Sequence, residues 1–327
     1  MTKAPESAKQ GTEHPDASEY LVEEGVVHET YDAAAGGDVG EARSLGADAR
    51  RHLRKNPLFW ISMTLIVIFV LMALWPSLFT STNPSEAILA RVRERPNADA
   101  WFGRDMQGYD IYARTIYGAR ASILVGVLTT TMTVLVGGAI GVMAAYNGGW
   151  ADSLISRITD IFFAIPLLLG AILFMSALAG VWTSYFGVIF KVVLVMTIFG
   201  WPSLARLMRS SVFQVLPNDY IQAARALGAS PWRIIRSHLI PNAMGPMIVV
   251  ATINLGAYIA AEATLSFLGI GLTPPVISWG VSISDALVGL RTTPHMLLFP
   301  SLFLSLTVLG FIMLGDAVRD AFDPKTR

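Results

Sequence analysis

The sequence has no cysteine and little charge. Without cysteine there can be no disulfide bond, no thiolate metal site and no cysteine nucleophile. Charged residues make up 15% of the chain, whereas soluble domains average about 25%. Lysine plus arginine equals aspartate plus glutamate at 24 each, so net charge gives no sign of a nucleic-acid partner or an acidic ligand. The composition disfavours a water-soluble protein.

Nucleotide and metal motifs are missing as well. No Gly-x-x-x-x-Gly-Lys-Ser/Thr sequence is present, so the chain has no P-loop to hold nucleotide phosphates. The five histidines are scattered, with no pair at the spacing that puts two metal ligands on one helix face. We therefore expect no catalytic, cofactor-binding or metal site in this chain, and no enzymatic activity of its own.

Long apolar runs dominate what is present. Hydrophobic residues make up 53% of the chain and the mean hydropathy is +0.53. A helix needs ~20 residues to cross the hydrocarbon core of a bilayer. The apolar runs are 58–79, 121–146, 161–205, 241–261 and 292–315, and Lys191 is the only charged residue in them.

The third run is too long for one helix. As a single helix it would be roughly 67 Å long, about twice a bilayer, so we expect two passes that fold back near residues 180–187. Pro166 is expected to kink the first of them. The sequence thus predicts an all-α, polytopic membrane protein with six transmembrane helices.

The two ends of the chain are predicted to lie in the cytoplasm. Residues 1–50 hold eleven acidic and four basic residues with no sustained apolar period, as expected of a disordered acidic tail. Basic residues that flank a span stay in the cytoplasm, and four of them occupy 50–55. The loop between the fourth and fifth spans carries five arginines against one aspartate over 206–236, so it is expected on the same side.

That loop begins with the signals of a short helix. Asn218 or Asp219 can cap a first helix over 220–227, which is rich in helix-forming residues. Gly228 suits the left-handed residue that closes such a helix.

A second helix is predicted directly afterwards. Ser230 followed by Pro231 is a start signal, a cap with proline at the first helical position. We expect this helix to run to about residue 239 and to stop before Pro241. Ala223 and Ala224 would leave a low surface that another protein can approach closely. A DNA-reading helix-turn-helix and a basic anchor loop are the alternatives, and the adjacent spans argue against the first.

The loop resembles the EAA loop of ATP-binding-cassette (ABC) importer permeases. The family pattern is Glu-Ala-Ala, a glycine four residues later and a closing Leu-Pro, and this chain has Gln222-Ala-Ala224, Gly228 and Ile240-Pro241. Glutamine in place of glutamate removes a charge, so an ion pair from this position cannot be assumed. The resemblance implies that the loop docks as a coupling helix on an ATPase subunit. The residues assigned to this role are Asp219, Tyr220, Gln222, Ala223, Ala224, Arg225, Leu227, Gly228, Ala229, Pro231, Arg233 and Pro241.

Further motifs are similar to those of the dipeptide/oligopeptide/nickel branch of these permeases. They are Phe102-Gly-Arg-Asp105, Tyr117-Gly-Ala-Arg-Ala-Ser122, the segment 262–271, Ser278-Trp-Gly280 and the segment 314–324. The resemblance implies a type I importer permease fold. It also implies a second homologous permease, two ATPase subunits that bind ATP and Mg, and an extracytoplasmic solute-binding protein. The implied cargo is peptides or related solutes such as nickel complexes.

Composition, apolar runs and this resemblance together give the expected organisation of the chain; the acidic tail lies outside the resemblance. An acidic tail over 1–50 is followed by a basic flank and first span over 51–80 and by an external loop with an amphipathic segment over 81–120. The permease core over 121–316 contains five spans and the coupling loop over 205–241. A cytoplasmic tail over 317–327 ends the sequence.

Several charged residues are candidates for function inside the membrane. Glu262 lies in apolar sequence near the outer end of the fifth span, where an ionisable group is a functional candidate, but a structural hydrogen bond is equally consistent. Arg157 and Asp160 are spaced to pair on one helix face, with a gating role as the alternative. Lys191 is expected to extend to the outer interface. Four glycines at 126, 137, 138 and 141 predict close helix packing along the second span.

The sequence leaves two other functions open. A secondary transporter or channel driven by an ion gradient would need a relay of intramembrane carboxylates, and Glu262 is the only plausible member. A membrane scaffold that binds a partner through its acidic tail is the other.

Overall fold

The structure is a computed structural model that describes residues 52–322. The expected acidic tail over 1–50 and the last five residues lie outside this range. Within it the regular structure is helical, and the isolated bridge between Arg104 and Asp110 is the one pairing of extended backbone. From Pro57 onward the helices are α1 Pro57–Leu74, α2 Ile111–Asn147, α3 Gly149–Ala164, α4 Leu167–Ala177, α5 Tyr185–Val215, α6 Asp219–Ala226, α7 Pro231–Ile234, α8 Ile240–Phe267, α9 Trp279–Ala286 and α10 His295–Phe322.

Five helical segments are long and apolar enough to cross a membrane, and a sixth span exists if α3 and α4 are counted together. The five are α1, α2, α5, α10 and the continuous segment Pro231–Phe267, which joins α7 to α8. The expected reversal near 180–187 is present, since α4 ends at Ala177 and α5 begins at Tyr185.

The third span is broken where a kink was expected. α3 and α4 meet at an angle of 86°, with Pro166 between them. Ile165 has φ −95° and ψ 118°, the extended conformation that a following proline imposes. Neither half is long enough to cross a bilayer alone. α3 has 16 residues and α4 has 11, so they are about 24 Å and 16 Å long.

The glycine rows of α2 bring two helices into close contact, as predicted. A Cβ atom at Gly141 would lie 2.5 Å from the carbonyl oxygen of Ala205 in α5, and one at Gly126 would lie 2.5 Å from Cγ1 of Ile259 in α8. Gly138 is different, because its nearest neighbour, Cε of Met247, would be 3.6 Å away. The glycines therefore set the separation of α2 from α5 and α8 at specific positions.

The segment before α2 is folded. It contains the 3-10 turns Pro76–Leu78 and Leu89–Arg91, and the amphipathic segment expected over 81–120 stays a prediction. α2 begins ten residues before its apolar run because the side chain of Asp110 accepts a hydrogen bond of 2.9 Å from the backbone N–H of Ala113.

Ion pairs hold this outer segment together. Arg91 contacts Glu94 at 2.6 Å and Asp99 at 3.2 Å, and Arg114 contacts Asp105 at 3.5 Å. The interleaved acids and bases of this segment thus serve to fold it.

Candidate functional site: a groove between two short helices

The first short helix of the coupling loop forms as predicted, one residue earlier. α6 covers Asp219–Ala226, and Gly228 has a φ of +78°. The N–H of Gly228 donates to the carbonyl of Arg225 at 2.9 Å and that of Ala229 to Ala224 at 3.0 Å, which is a Schellman motif. A Cβ at Gly228 would meet nothing within 4 Å, so the position requires glycine for its backbone angle and not for space.

The second helix starts as predicted but does not stop where expected. The N–H of Arg233 donates to the hydroxyl of Ser230 at 3.4 Å, and Pro231 opens α7. The chain then passes through a π-helical turn, Ile235–Leu239, directly into α8. The prediction of a stop before Pro241 was therefore wrong.

The π-turn explains how this proline is accommodated. The N–H of Ile240 donates to the carbonyl of Ile235, five residues back, so the turn is wider than an α-helical one. A proline ring clashes with the carbonyl four residues earlier in a regular helix, and the wider turn relieves that clash. The coupling loop is consequently continuous with a membrane-spanning helix.

Three buried side chains fix the loop to the bundle. Ile221, Ile234 and Leu239 are fully or almost fully buried. They share one cluster with residues of α2, α5 and α8, namely Val142, Ala145, Leu204, Met208, Val212, Val215, Ala243 and Met247. The loop is therefore packed as one body with the adjacent ends of these helices.

The outward side of the loop is a groove with an apolar centre. It has a volume of about 380 Å³ and is lined by Tyr220, Ala223, Ala224, Leu227, Gly228, Ala229, Arg233 and His238. Leu227 is 88% exposed and Trp232, on the next helix, is 68% exposed. Large apolar side chains that cluster in the open mark an interaction surface.

The rim of the groove is basic. Arg233 lines it. Arg225 and Arg236 are exposed elsewhere on the same loop, as predicted, and Arg225 lies 5.9 Å from the centre of the Tyr146 ring at the end of α2. The surface is suited to a protein with an apolar pocket and acidic edges. Trp232 and His238 were not among the residues predicted for this site. Trp232 could have been found, because a tryptophan on a polar loop between two spans indicates a contact surface.

Glu262 occupies a structural position. It is fully buried, and its Oε1 accepts hydrogen bonds from Ser266 Oγ at 2.7 Å and Ser278 Oγ at 3.2 Å. The next residue, Trp279, donates from its backbone N–H to Ser122 Oγ at 3.3 Å. Three of the sequence motifs thus meet here and join α8, α9 and α2. Among residues 52–322 no second buried carboxylate lies inside a span to extend a relay.

The expected pair of Arg157 and Asp160 is not formed. Asp160 contacts Arg206 of α5 at 3.0 Å, and a second ion pair joins Asp152 of α3 to Arg209, with 2.7 Å between Oδ2 and Nη2. The spacing of Arg157 and Asp160 permitted a pair within α3. Instead, the aspartates of α3 pair with arginines of the longer helix α5.

Lys191 extends to the turn between α4 and α5 and is buried there. It is 7% exposed, and its amine donates to the carbonyl of Val181, 3.4 Å away in the turn between α4 and α5. The turn folds over the side chain, which could not be foreseen from a single charge in an apolar run.

Comparison with known proteins gives consistent matches over most of the chain. The family described as binding-protein-dependent transport system inner membrane component matches residues 137–327. The N-terminal TM domain of oligopeptide transport permease C matches residues 44–96.

Relatives of known role match along most of their length. The oligopeptide transport system permease protein OppC of Bacillus subtilis (strain 168) is 38% identical, over 87% of this chain and 91% of its own. The glutathione transport system permease protein GsiD of Pectobacterium atrosepticum is 33% identical, over 85% and 90%. Among solved structures, the methionine ABC transporter MetNI in inward facing conformations matches with a TM-score of 0.51 and 21% identity, over 64% of this chain and 96% of that one, which shows a shared fold.

Proposed function

Since this chain belongs to the family of binding-protein-dependent transport system inner membrane components, we propose that the cargo of its importer is peptides. The chain is a permease subunit of an ABC importer. Its relatives OppC and DppC are named for oligopeptide and dipeptide transport and GsiD for glutathione transport, and glutathione is itself a small peptide. This agreement supports peptides over the nickel complexes that the wider branch also carries.

ATP hydrolysis is supplied by other subunits in this proposal. The sequence has no P-loop, and the groove between α6 and α7 offers a protein an apolar centre with a basic rim. We place two ATPase subunits, which bind ATP and Mg, at this groove and at its equivalent on a second homologous permease. A solute-binding protein delivers the peptide at the opposite face.

The orientation follows from the same assignment. With the groove facing the ATPases, the coupling loop lies in the cytoplasm, and both termini lie there too. The outer segment that precedes α2 then faces the solute-binding protein.

The observation that carries the proposal is the exposure of Leu227 at the mouth of the groove. A photo-crosslinking amino acid at Leu227, in the complete complex in native membranes, should capture an ATPase subunit. The matched control is Val288, which is 83% exposed but lies in the connection between α9 and α10, on the opposite face. Capture of an ATPase from Val288, or from neither position, would contradict the assignment.

A functional test uses the glycine of the bend. Proline cannot adopt the positive φ of Gly228, so Gly228→Pro should leave membrane insertion intact and separate ATP hydrolysis from peptide uptake in reconstituted vesicles. Normal uptake by this variant would argue against a coupling role for the loop.

A further inference from the structure

Helix α3 is attached to the bundle differently from the other helices. Thr159 is the only buried residue among its 16, whereas α2 and α5 interlock through glycines and apolar side chains. Contact with α5 is made by the ion pairs Asp152–Arg209 and Asp160–Arg206. Near the end of α3, the ring of Phe162 also packs edge-on against Phe199 and Trp201 of α5. Over 152–160, α3 is thus held to α5 mainly by charge.

The two ion pairs imply a steep crossing. Asp152 and Asp160 are eight residues apart, about 12 Å along α3. Their partners Arg206 and Arg209 are three residues apart, about 4.5 Å along α5. Long arginine side chains bridge the difference.

A cavity lies beside the crossing. It has a volume of about 390 Å³ and is lined by Ile155, Ser156, Thr159, Asp160, Ala205, Arg206 and Arg209. Because side chains do not fill this space, α3 has room to shift against α5 without repacking a core.

The two arginines belong to the same body as the coupling loop. They lie one to three turns before the end of α5, where Val212 and Val215 pack in one cluster with Ile221 of the loop. Arg206 also lies 4.1 Å from the centre of the Phe163 ring in α3. A displacement of the loop therefore reaches α3 through these side chains.

We propose that Asp152, Asp160, Arg206 and Arg209 are positioning residues of the transport cycle, which make α3 follow the coupling loop. This inference rests on the proposed function, because it requires an ATPase to move the loop. Partly exposed ion pairs are individually weak, but two of them act on the same helix, so together they keep α3 at one position relative to the loop. α3 leads through the break at Pro166 into α4, so its movement changes the path of the third span.

The absence of cysteine makes a direct test possible. Ser153→Cys on α3 and Ser237→Cys on the π-turn, both exposed, would carry spin labels in the full complex, assembled with cysteine-free partner subunits. With the ion pairs intact, the distance between the labels should be narrowly distributed and equal in the nucleotide-free and vanadate-trapped states. With Asp152→Asn and Asp160→Asn, it should broaden or differ between the two states.

A second measurement separates positioning from simple stability. The number of ATP molecules hydrolysed per tritiated dialanine imported should rise about fivefold or more in the neutralised variant, the lower end of typical coupling between sites. The exchange Asp152→Arg with Arg209→Asp, in an otherwise unaltered chain, should bring the ratio back towards the original value. Asp99→Asn, which removes an ion pair of the outer segment, is the matched control and should leave it unchanged.

An unchanged ratio and an unchanged label distance in the neutralised variant would overturn the inference. So would a proportional loss of hydrolysis, uptake and assembled complex, since that is the mark of a structural role alone. Gly228→Pro provides the uncoupled reference. If Gly228→Pro uncouples and the neutralised variant does not, the proposed function stands and this inference fails.

Discussion

The side-chain amide of Gln222 donates a hydrogen bond of 3.2 Å to the carbonyl oxygen of Leu216, at the end of α5. This is the position at which the EAA pattern has glutamate. The glutamine thus contacts its own subunit, and the surface offered to a partner is formed by other side chains, chiefly Leu227 and Trp232.

Gln222→Glu should therefore be tolerated at the docking surface. The substitution removes one exposed hydrogen bond, which contributes about 0.5–1 kcal/mol at most, and puts a carboxylate beside a carbonyl oxygen. We expect binding of the ATPase to change by less than about threefold. The measurement is co-purification at graded detergent and salt concentrations, and dissociation of the complex would contradict the interpretation.

Leu227→Ala and Trp232→Ala should weaken ATPase binding much more. Apolar anchors at the centre of an interface contribute about 1–2 kcal/mol or more each, which corresponds to roughly tenfold or greater weakening. Both side chains are exposed in the isolated subunit, so its own stability should change by less than about 0.5 kcal/mol. Val288→Ala is the control for loss of an exposed apolar side chain. Equal binding by all three variants would count against the groove.

Gly141→Ala and Gly138→Ala, three residues apart on α2, should differ in stability. A methyl group at Gly141 would meet Met208 Cβ at 2.8 Å and a backbone carbonyl, which costs about 1–3 kcal/mol when a packed core is overfilled. At Gly138 there is space, and alanine is favoured over glycine in a helix by about 0.5–1 kcal/mol. Thermal unfolding in detergent should show the first variant destabilised and the second unchanged or stabilised. Equal effects would mean that α2 and α5 are not in close contact there.

Glu94 should make the outer segment sensitive to acid. The hydrogen bond from Arg91 is the main cause that lowers the pKa of this carboxyl from its ordinary value of 4.5, with a further bond from Asn97. A lowered carboxyl pKa contributes stability above the ordinary value, and that contribution is lost as the pH falls through the folded-state pKa. Hydrogen exchange over residues 89–100, corrected for its intrinsic pH dependence, should speed up below about pH 4.

Glu94→Gln should reproduce part of this effect at neutral pH. Trypsin cleavage at Arg93 and Arg95 should be faster than in the parent protein, because the ion pairs of this carboxylate are lost. Glu86→Gln, at an exposed position of the same segment, should leave cleavage unchanged. Equal protection in both variants would mean that hydrophobic contacts hold the segment together.

The sequence carried enough information for the elements that depend on short-range chemistry. Apolar runs located the spans, and Gly228 and Ser230 located the ends of two short helices because left-handed glycine and hydroxyl caps act on their immediate neighbours. The glycines of α2 indicated close packing, and the structure shows that the helices packed against them are α5 and α8.

Features that depend on distant partners could not be predicted. The partners of Asp160 and Lys191 are set by how α3, α4 and α5 fold back on one another. Helical spacing alone gave the wrong partner for Asp160. The sequence wrongly predicted that the helix stops before Pro241, because a π-turn has no clear sequence signal. For Glu262 the sequence allows both a functional role and a structural hydrogen bond, since only the tertiary structure brings Ser278 to within 3.2 Å of it.

The π-turn before Pro241 joins the second short helix and the fifth span into one continuous helical segment of 37 residues. A helix of this length is about 55 Å long. Its far end carries Glu262, which is hydrogen-bonded to Ser278, the residue that caps α9. One unbroken helical segment therefore connects the groove with the opposite end of the bundle.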